Sequence, residues 1–228
     1  MQKEFLLPTE FIDSDSQEVR EFARIAVAGA ETEREKAVRL YYAVRDGIYY
    51  DPYRIEPTRH GFKASTILKQ GYGYCVAKAI VLAAALRAEG IACRLHFADV
   101  RNHLTTARLK ELMQTDTFYY HGYNDIFLDG RWIKVTPTFN LSLCEKFRVK
   151  PLDWDGTSDA IFHPFDLEGR RHMEYITDHG SFADVPFDAI INTFATCYGN
   201  KSELYAEHLR RTGDFAQEGD EEAQKEKS

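Results

Sequence analysis

A cysteine stands where a glycine-rich turn changes into a helical pattern. Cys75 follows the segment Gly71-Tyr-Gly-Tyr74 and opens an Ala/Leu-rich run that ends near Gly90. The first N–H groups of a helix lack backbone partners and carry the positive end of the helix dipole, so they favour thiolate over thiol. They can also stabilise the oxyanion that forms when a sulfur attacks a carbonyl. The position predicts a nucleophilic Cys75 with a lowered pKa, although most free cysteines are simply buried apolar residues.

His121 lies in a predicted β-hairpin. Aromatic and β-branched residues flank Asp129-Gly130 and predict antiparallel strands near 119–128 and 131–136. A catalytic imidazole needs a neighbour that holds its second nitrogen, and a paired strand can place one there. The alternative is a histidine half-buried among aromatic side chains, which is the commoner case.

The order of these motifs resembles the transglutaminase-like superfamily. The cysteine at a helix start is followed by the histidine strand and then by a strand that runs from Trp132 to Pro137, and Ala64–Gln70 resembles the stretch that leads into the cysteine in that family. The resemblance implies a papain-like α+β core, in which a helix with Cys75 at its start packs on an antiparallel sheet. It also implies a catalytic set made of Cys75, His121 and the residue before Pro137.

The third member of this set departs from the family pattern. The family usually has Asp before Pro-Thr, whereas this chain has Thr136. A hydroxyl can accept a hydrogen bond from an imidazole but carries no charge to stabilise an imidazolium. Asn140 is an alternative partner if the chain bends after Pro137. Asp125 shares a strand face with His121, but it lies too far along the strand to be a good partner.

Two residues beside the cysteine are candidates for substrate binding. The backbone N–H of Cys75 would hold an oxyanion, with Gln70 or Tyr74 as a second donor. A glutamine at such a position more often caps a helix or faces solvent.

The chain is long enough for one domain with a sizeable core. We expect a single domain over residues 1–212, with its core at about 30–145 and a C-terminal extension at 146–212, followed by an acidic disordered tail at 213–228. Residues 214–228 carry a net charge of −4, from six acidic residues and two lysines, and have few apolar residues. The further elements predicted are helices at 14–29, Thr32–Asp46, 64–70, Phe187–Tyr198 and Tyr205–Arg211, and strands at Ala92–Ala98 and Met173–Ile176.

Composition and motifs argue against several function classes. The sequence shows no apolar stretch of membrane-spanning length, no signal-peptide core and no basic stripe suited to nucleic acid. A cytoplasmic location is therefore expected. The four cysteines fit neither a zinc motif nor a dense disulfide framework, and neither a metal-ligand template nor a glycine-rich phosphate loop occurs. We therefore expect neither a metal nor a cofactor, and the sequence leaves the oligomeric state open.

The leading hypothesis is cysteine-dependent acyl transfer on amide bonds. Cys75 attacks the carbonyl, His121 activates the thiol and protonates the leaving amine, and water or a second amine resolves the acyl-enzyme. The partner is then a peptide or protein substrate, or a small amide, and the residues do not distinguish hydrolysis from amine transfer. One alternative is a catalytically inactive fold retained as a binding or scaffold module, which Thr136 favours. A weaker alternative is a transferase with a thioester donor, as in the arylamine acetyltransferases.

Overall fold

The N-terminal part of the chain is helical, and side chains define where its helices begin. The computed structural model describes residues 2–103, 106–162, 168–169, 172–198 and 215–218. Helices α1 (Gln17–Ala26) and α2 (Glu33–Gly47) follow Ser16 and Thr32, whose hydroxyls accept the N–H groups of Val19 and Glu35. Thr32 and Glu35 form a complete capping box, in which each side chain bonds the other residue's backbone.

The next segment carries the chain to the cysteine. Strand β1 (Tyr49–Tyr50), helix α3 (Ala64–Gln70) and strand β2 (Tyr72–Gly73) precede helix α4 (Cys75–Ala88), and β1 pairs with β2 in parallel. Gly71 ends α3 with a φ of 72°, a left-handed conformation that glycine adopts without strain. Every residue of α4 from 75 to 87 is buried, as expected for a helix that is apolar on all sides.

The second half of the chain supplies one antiparallel sheet with the order β5-β4-β3-β6. Its strands are β3 (Cys93–Asn102), β4 (Thr117–Leu128), β5 (Arg131–Val135) and β6 (Met173–Phe182), and the helices are α5 (Ala107–Met113), α6 (Leu141–Phe147) and α7 (Phe187–Cys197). The predicted hairpin is confirmed, since β4 and β5 pair directly across the turn at 129–130. Strand β6 is longer than the predicted 173–176, because β3 provides a pairing edge for it from Leu95 to Asn102. The predicted helix at 205–211 lies outside the described residues.

Helix α4 is fixed against both of its neighbours by polar contacts. Asn124 of β4 donates its side-chain amide to the carbonyl of Ala79 at 2.9 Å. On the α2 side, the buried Lys78 amine donates to the carbonyls of Arg45 and Ile48 at 2.8 and 2.6 Å. Those carbonyls lie at the end of α2, so Lys78 supplies hydrogen bonds that the helix itself cannot make.

The described part of the tail differs from the expectation of a solvated segment. Residues 215–218 are helical, and Phe215 is only 5% exposed. Its ring stacks on Phe147 and contacts Tyr50 and Tyr53 edge-on. Sequence reasoning weighed the charge of the tail and overlooked this one aromatic residue, which has an apolar groove to enter.

Candidate active site

Helix α4 begins with its N–H groups directed at its own cysteine. The residue before the helix, Tyr74, makes no side-chain capping bond. The backbone N–H groups of Gly122, Val76 and Cys75 lie near enough to the Cys75 sulfur to lower the pKa of its thiol. The first turn of α4 and strand β4 therefore converge on this one atom.

The thiol is nevertheless neutral at rest. Burial raises the pKa of Cys75 to about 11, and the lowering by the three N–H groups does not offset it. The expected lowered pKa is therefore wrong for this conformation. The helix position was recognised correctly, but the residue is only 6% exposed, and desolvation outweighs the dipole.

Gly122 allows the helix and the strand to come together. A Cβ atom at this position would lie 3.0 Å from the Cα of Val76 and 3.2 Å from its Cγ2. Carbon atoms in contact are normally about 3.5–4.0 Å apart, so a larger residue would push the strand away from the helix. The absence of a side chain therefore allows the Gly122 N–H to approach the Cys75 sulfur, and His121 is the residue before it in β4.

His121 is enclosed by aromatic rings. It is 3% exposed, and its ring centroid lies 5.1 Å from that of Phe162, 6.2 Å from that of Tyr123 and 6.3 Å from that of Tyr175. Burial lowers its pKa to about 3, so the imidazole is neutral near pH 7. Within the described ranges no hydrogen bond joins it to the Cys75 sulfur, and the next residue of its strand, Gly122, lies against the first turn of α4.

Thr136 contacts the imidazole of His121 at Nε2, as its strand register predicts. Its Oγ1 atom is 3.5 Å from His121 Nε2 and 2.9 Å from Thr138 Oγ1. These contacts are consistent with Nε2–H donating to Thr136 and Thr136 donating to Thr138, which leaves Nδ1 unprotonated as a base. Thr136 is 1% exposed, so little water competes for this contact.

The two other candidates for this position have different partners. The amide oxygen of Asn140 accepts the N–H of Tyr50, and its NH₂ group donates to Ser142. Asp125 bonds Arg94, His96 and Ser181, and it forms an ion pair with Lys134. These partners keep both side chains from orienting His121.

Gln70 and Tyr74 lie near the cysteine in sequence but have other contacts. Gln70 donates to Glu56 at 3.3 Å, and the ring of Tyr74 packs between Phe62 and Phe194. Both residues line a surface pocket next to α3 whose lining residues do not include Cys75. Their proposed role at an oxyanion has no support in these contacts.

Sequence reasoning missed three residues at this site. Gly122 could have been singled out, because a glycine directly after a strand histidine suggests a close approach of another backbone. Phe162 and Tyr175 had no such signal, since they come from the extension and reach His121 only through the packing of β6 and the segment before it.

Two further properties of the described residues bear on the chemistry. They contain no group of three His, Cys, Asp or Glu side chains placed to hold a metal ion. No helix among them has both the length and the apolar character needed to cross a membrane.

Two solved structures match the chain at low sequence identity. A putative cysteine protease from Cytophaga hutchinsonii has a similar structure, with a TM-score of 0.50 and 16% identity over 83% of this chain. The match spans 49% of that protein, so this chain covers about half its length. A putative protease from Parabacteroides distasonis matches with a TM-score of 0.37 and 21% identity, over 55% of this chain and 25% of the other. None of the curated proteins matches the sequence.

The comparison with protein families concerns the region that contains Cys75, His121 and Thr136. The model of the transglutaminase-like superfamily matches residues 20–137, which is just over half of the 228 residues. The chain therefore belongs to the transglutaminase-like superfamily.

Proposed function

We propose that the chain catalyses cysteine-dependent acyl transfer on amide bonds, with a peptide, a protein or a small amide as substrate. In this proposal Cys75 is the nucleophile, His121 is the base and acid, and Thr136 orients the imidazole. The observation that supports it most strongly is that the backbone N–H groups of Gly122, Val76 and Cys75 lower the pKa of the Cys75 thiol, and that Gly122 directly follows His121 in strand β4. A cysteine with only a packing role needs neither the donors nor the histidine.

The reaction starts from a neutral thiol and a neutral imidazole. As the sulfur bonds to the carbonyl carbon, its proton passes to His121 Nδ1 and the carbonyl electron pair moves to oxygen. The N–H groups at the start of α4 stabilise that oxyanion. The intermediate collapses to a thioester when the amine leaves with the proton from His121, and water or a second amine then attacks the thioester.

One observation favours the alternative of a binding or scaffold module. Cys75 and His121 are both buried, and burial shifts both pKa values away from a thiolate–imidazolium pair. A substrate must therefore gain access past rings such as Phe162 before any chemistry occurs. A protein that has lost activity would leave the two residues permanently in this state.

Acylation by p-nitrophenyl acetate distinguishes the two functions. The catalytic proposal predicts a burst of p-nitrophenol and one acetyl group on the protein by intact mass, both lost in Cys75→Ala. Cys93→Ala is the matched control, because Cys93 is also buried and burial also raises its pKa, but it lies away from α4's first turn. Acetylation that is equal in wild type and Cys75→Ala would refute the proposal and favour the scaffold.

The fate of the acyl group separates hydrolase from transferase. Adding a primary amine such as monodansylcadaverine to the acetylated protein should yield the acetylated amine if the enzyme is a transferase. Release of acetate alone indicates hydrolysis. The outcome depends on how well the site excludes water from the thioester.

A further inference from the structure

Tyr175 has a buried hydroxyl group that the proposed mechanism has not yet used. The residue belongs to β6, outside the part of the chain that matches the family model. Its oxygen is buried, and no described residue accepts a hydrogen bond from its O–H, although the Phe162 N–H is near enough to act on the oxygen. A buried hydroxyl without a partner costs free energy, so its retention calls for a ligand that supplies one.

The position of the ring identifies where that ligand would lie. The Tyr175 ring meets His121 edge-on at 71° and Tyr123 at 83°, with centroids 6.3 and 6.1 Å apart. Burial raises the pKa of the phenol, the Phe162 N–H lowers it, and the charge of a Cys75 thiolate raises it further. The hydroxyl is therefore within electrostatic range of the sulfur and stays protonated at neutral pH.

We propose that Tyr175 is a catalytic residue whose O–H donates a hydrogen bond to the carbonyl oxygen of a substrate acylating Cys75. The inference rests on the proposed function and adds a side-chain donor to the N–H groups of α4. The phenol keeps its own proton: the C–S bond forms as the thiol proton passes to His121, the carbonyl electron pair moves to oxygen, and the phenol stabilises that charge until the leaving group departs with the proton from His121. The donor comes from the extension, so the site combines the family core with residues beyond it.

Two reagents separate this role from any effect on the thiol. p-Nitrophenyl acetate reacts through an oxyanion, whereas iodoacetamide alkylates sulfur by displacement and forms none. Tyr175→Phe should slow acetylation of Cys75 by at least tenfold, since loss of one oxyanion donor typically costs ~10²–10³-fold. Alkylation by iodoacetamide should remain within about twofold of wild type, because the thiol itself is unchanged.

Tyr123→Phe is the matched control. It removes a hydroxyl from a ring that also contacts His121, but this hydroxyl already accepts from Lys134 at 3.5 Å. Its acetylation rate should stay within about twofold of wild type. The melting temperature of Tyr175→Phe should equal or exceed that of wild type, because an unpartnered buried hydroxyl has been removed.

The outcomes are distinct. Acetylation of Tyr175→Phe at the wild-type rate, equal slowing with both reagents, or a drop of several degrees in melting temperature would each overturn the role of Tyr175 and leave Cys75 as the nucleophile. Absence of Cys75-dependent acetylation in the wild type would instead overturn the proposed function, and this inference with it.

Discussion

A single methyl group at residue 122 should separate the cysteine helix from the histidine strand. In Gly122→Ala the new Cβ would lie 3.0 Å from the Cα of Val76 and 3.4 Å from Cε1 of Phe97. The nearest of these atoms is backbone, so no side-chain rotation can relieve the contact. Relief of these contacts requires a shift of a few tenths of an ångström between β4 and α4.

That shift affects both stability and chemistry. Overpacking of a buried position typically costs about 1–3 kcal/mol, or a fall of ~2–12 °C in melting temperature for a domain of this size. A misplacement of about 1 Å between reacting groups typically lowers the rate ~10²-fold, so a shift of a few tenths of an ångström should lower it several-fold. The acetylation rate should therefore fall much further than the lost stability alone would suggest.

Melting temperature by circular dichroism and the p-nitrophenyl acetate burst measure the two effects. Gly47→Ala is the matched control, because a Cβ there meets no atom within 4 Å, and both of its values should stay near wild type. If Gly122→Ala kept the wild-type melting temperature and burst rate, the close approach of Gly122 to α4 would have no functional role and our reasoning would fail.

Three further changes test other parts of the structure. Thr136→Val removes the acceptor for His121 Nε2 and should lower the acetylation rate with little loss of stability, whereas Thr136→Asp supplies a charge that stabilises the imidazolium and should raise the rate; unchanged rates in both would indicate a Cys–His dyad. Because burial lowers the pKa of Lys78 from 10.5 to about 7, the unfolded chain binds the extra proton between these values. Unfolding free energy measured in urea should therefore rise from pH 7 to 9, by at most about 1.4 kcal/mol per unit, and Lys78→Met should reduce this slope. Deletion of residues 213–228 removes the buried Phe215 and should cost about 3 kcal/mol, whereas deletion of 219–228 keeps that residue and serves as control; equal melting temperatures would show that the tail does not dock.

The local elements of the site could be predicted because their signals are short-range. Cys75 at a helix start follows from two glycines and an Ala-rich run, and the hairpin follows from Asp129-Gly130 between aromatic strands. The contact of Thr136 with His121 follows from strand register, which the hairpin turn determines. Each of these inferences needs only residues close together in sequence.

The electrostatics of the site could not be predicted in the same way. The sign of the Cys75 pKa shift depends on how deeply the sulfur is buried, and that depends on packing by distant residues such as Tyr175 and Phe162. The burial of Phe215 could not be predicted for the same reason, because its stacking on Phe147 depends on a residue distant in sequence and the surrounding segment is highly charged. A sequence pattern predicts the electrostatic field at the start of a helix, but it does not show how far burial removes the thiol from solvent.

The pairing of β6 with β3 bears on the order in which the molecule is assembled. During synthesis, β3 and β4 can pair as soon as residue 128 is free, but the other edge of β3 stays open until residue 182 has been made. A chain cut after residue 145 would still contain all of residues 20–137, which match the family model. The edge of the ten-residue strand β3 that normally pairs with β6 would then be unpaired, and an unpaired strand edge is a template for aggregation. We therefore expect a nascent chain to bring Cys75 and His121 into place first and to cover them with β6 last. The newborn protein would pass through a stage in which the thiol is more open to oxidation and alkylation than it is in the finished fold.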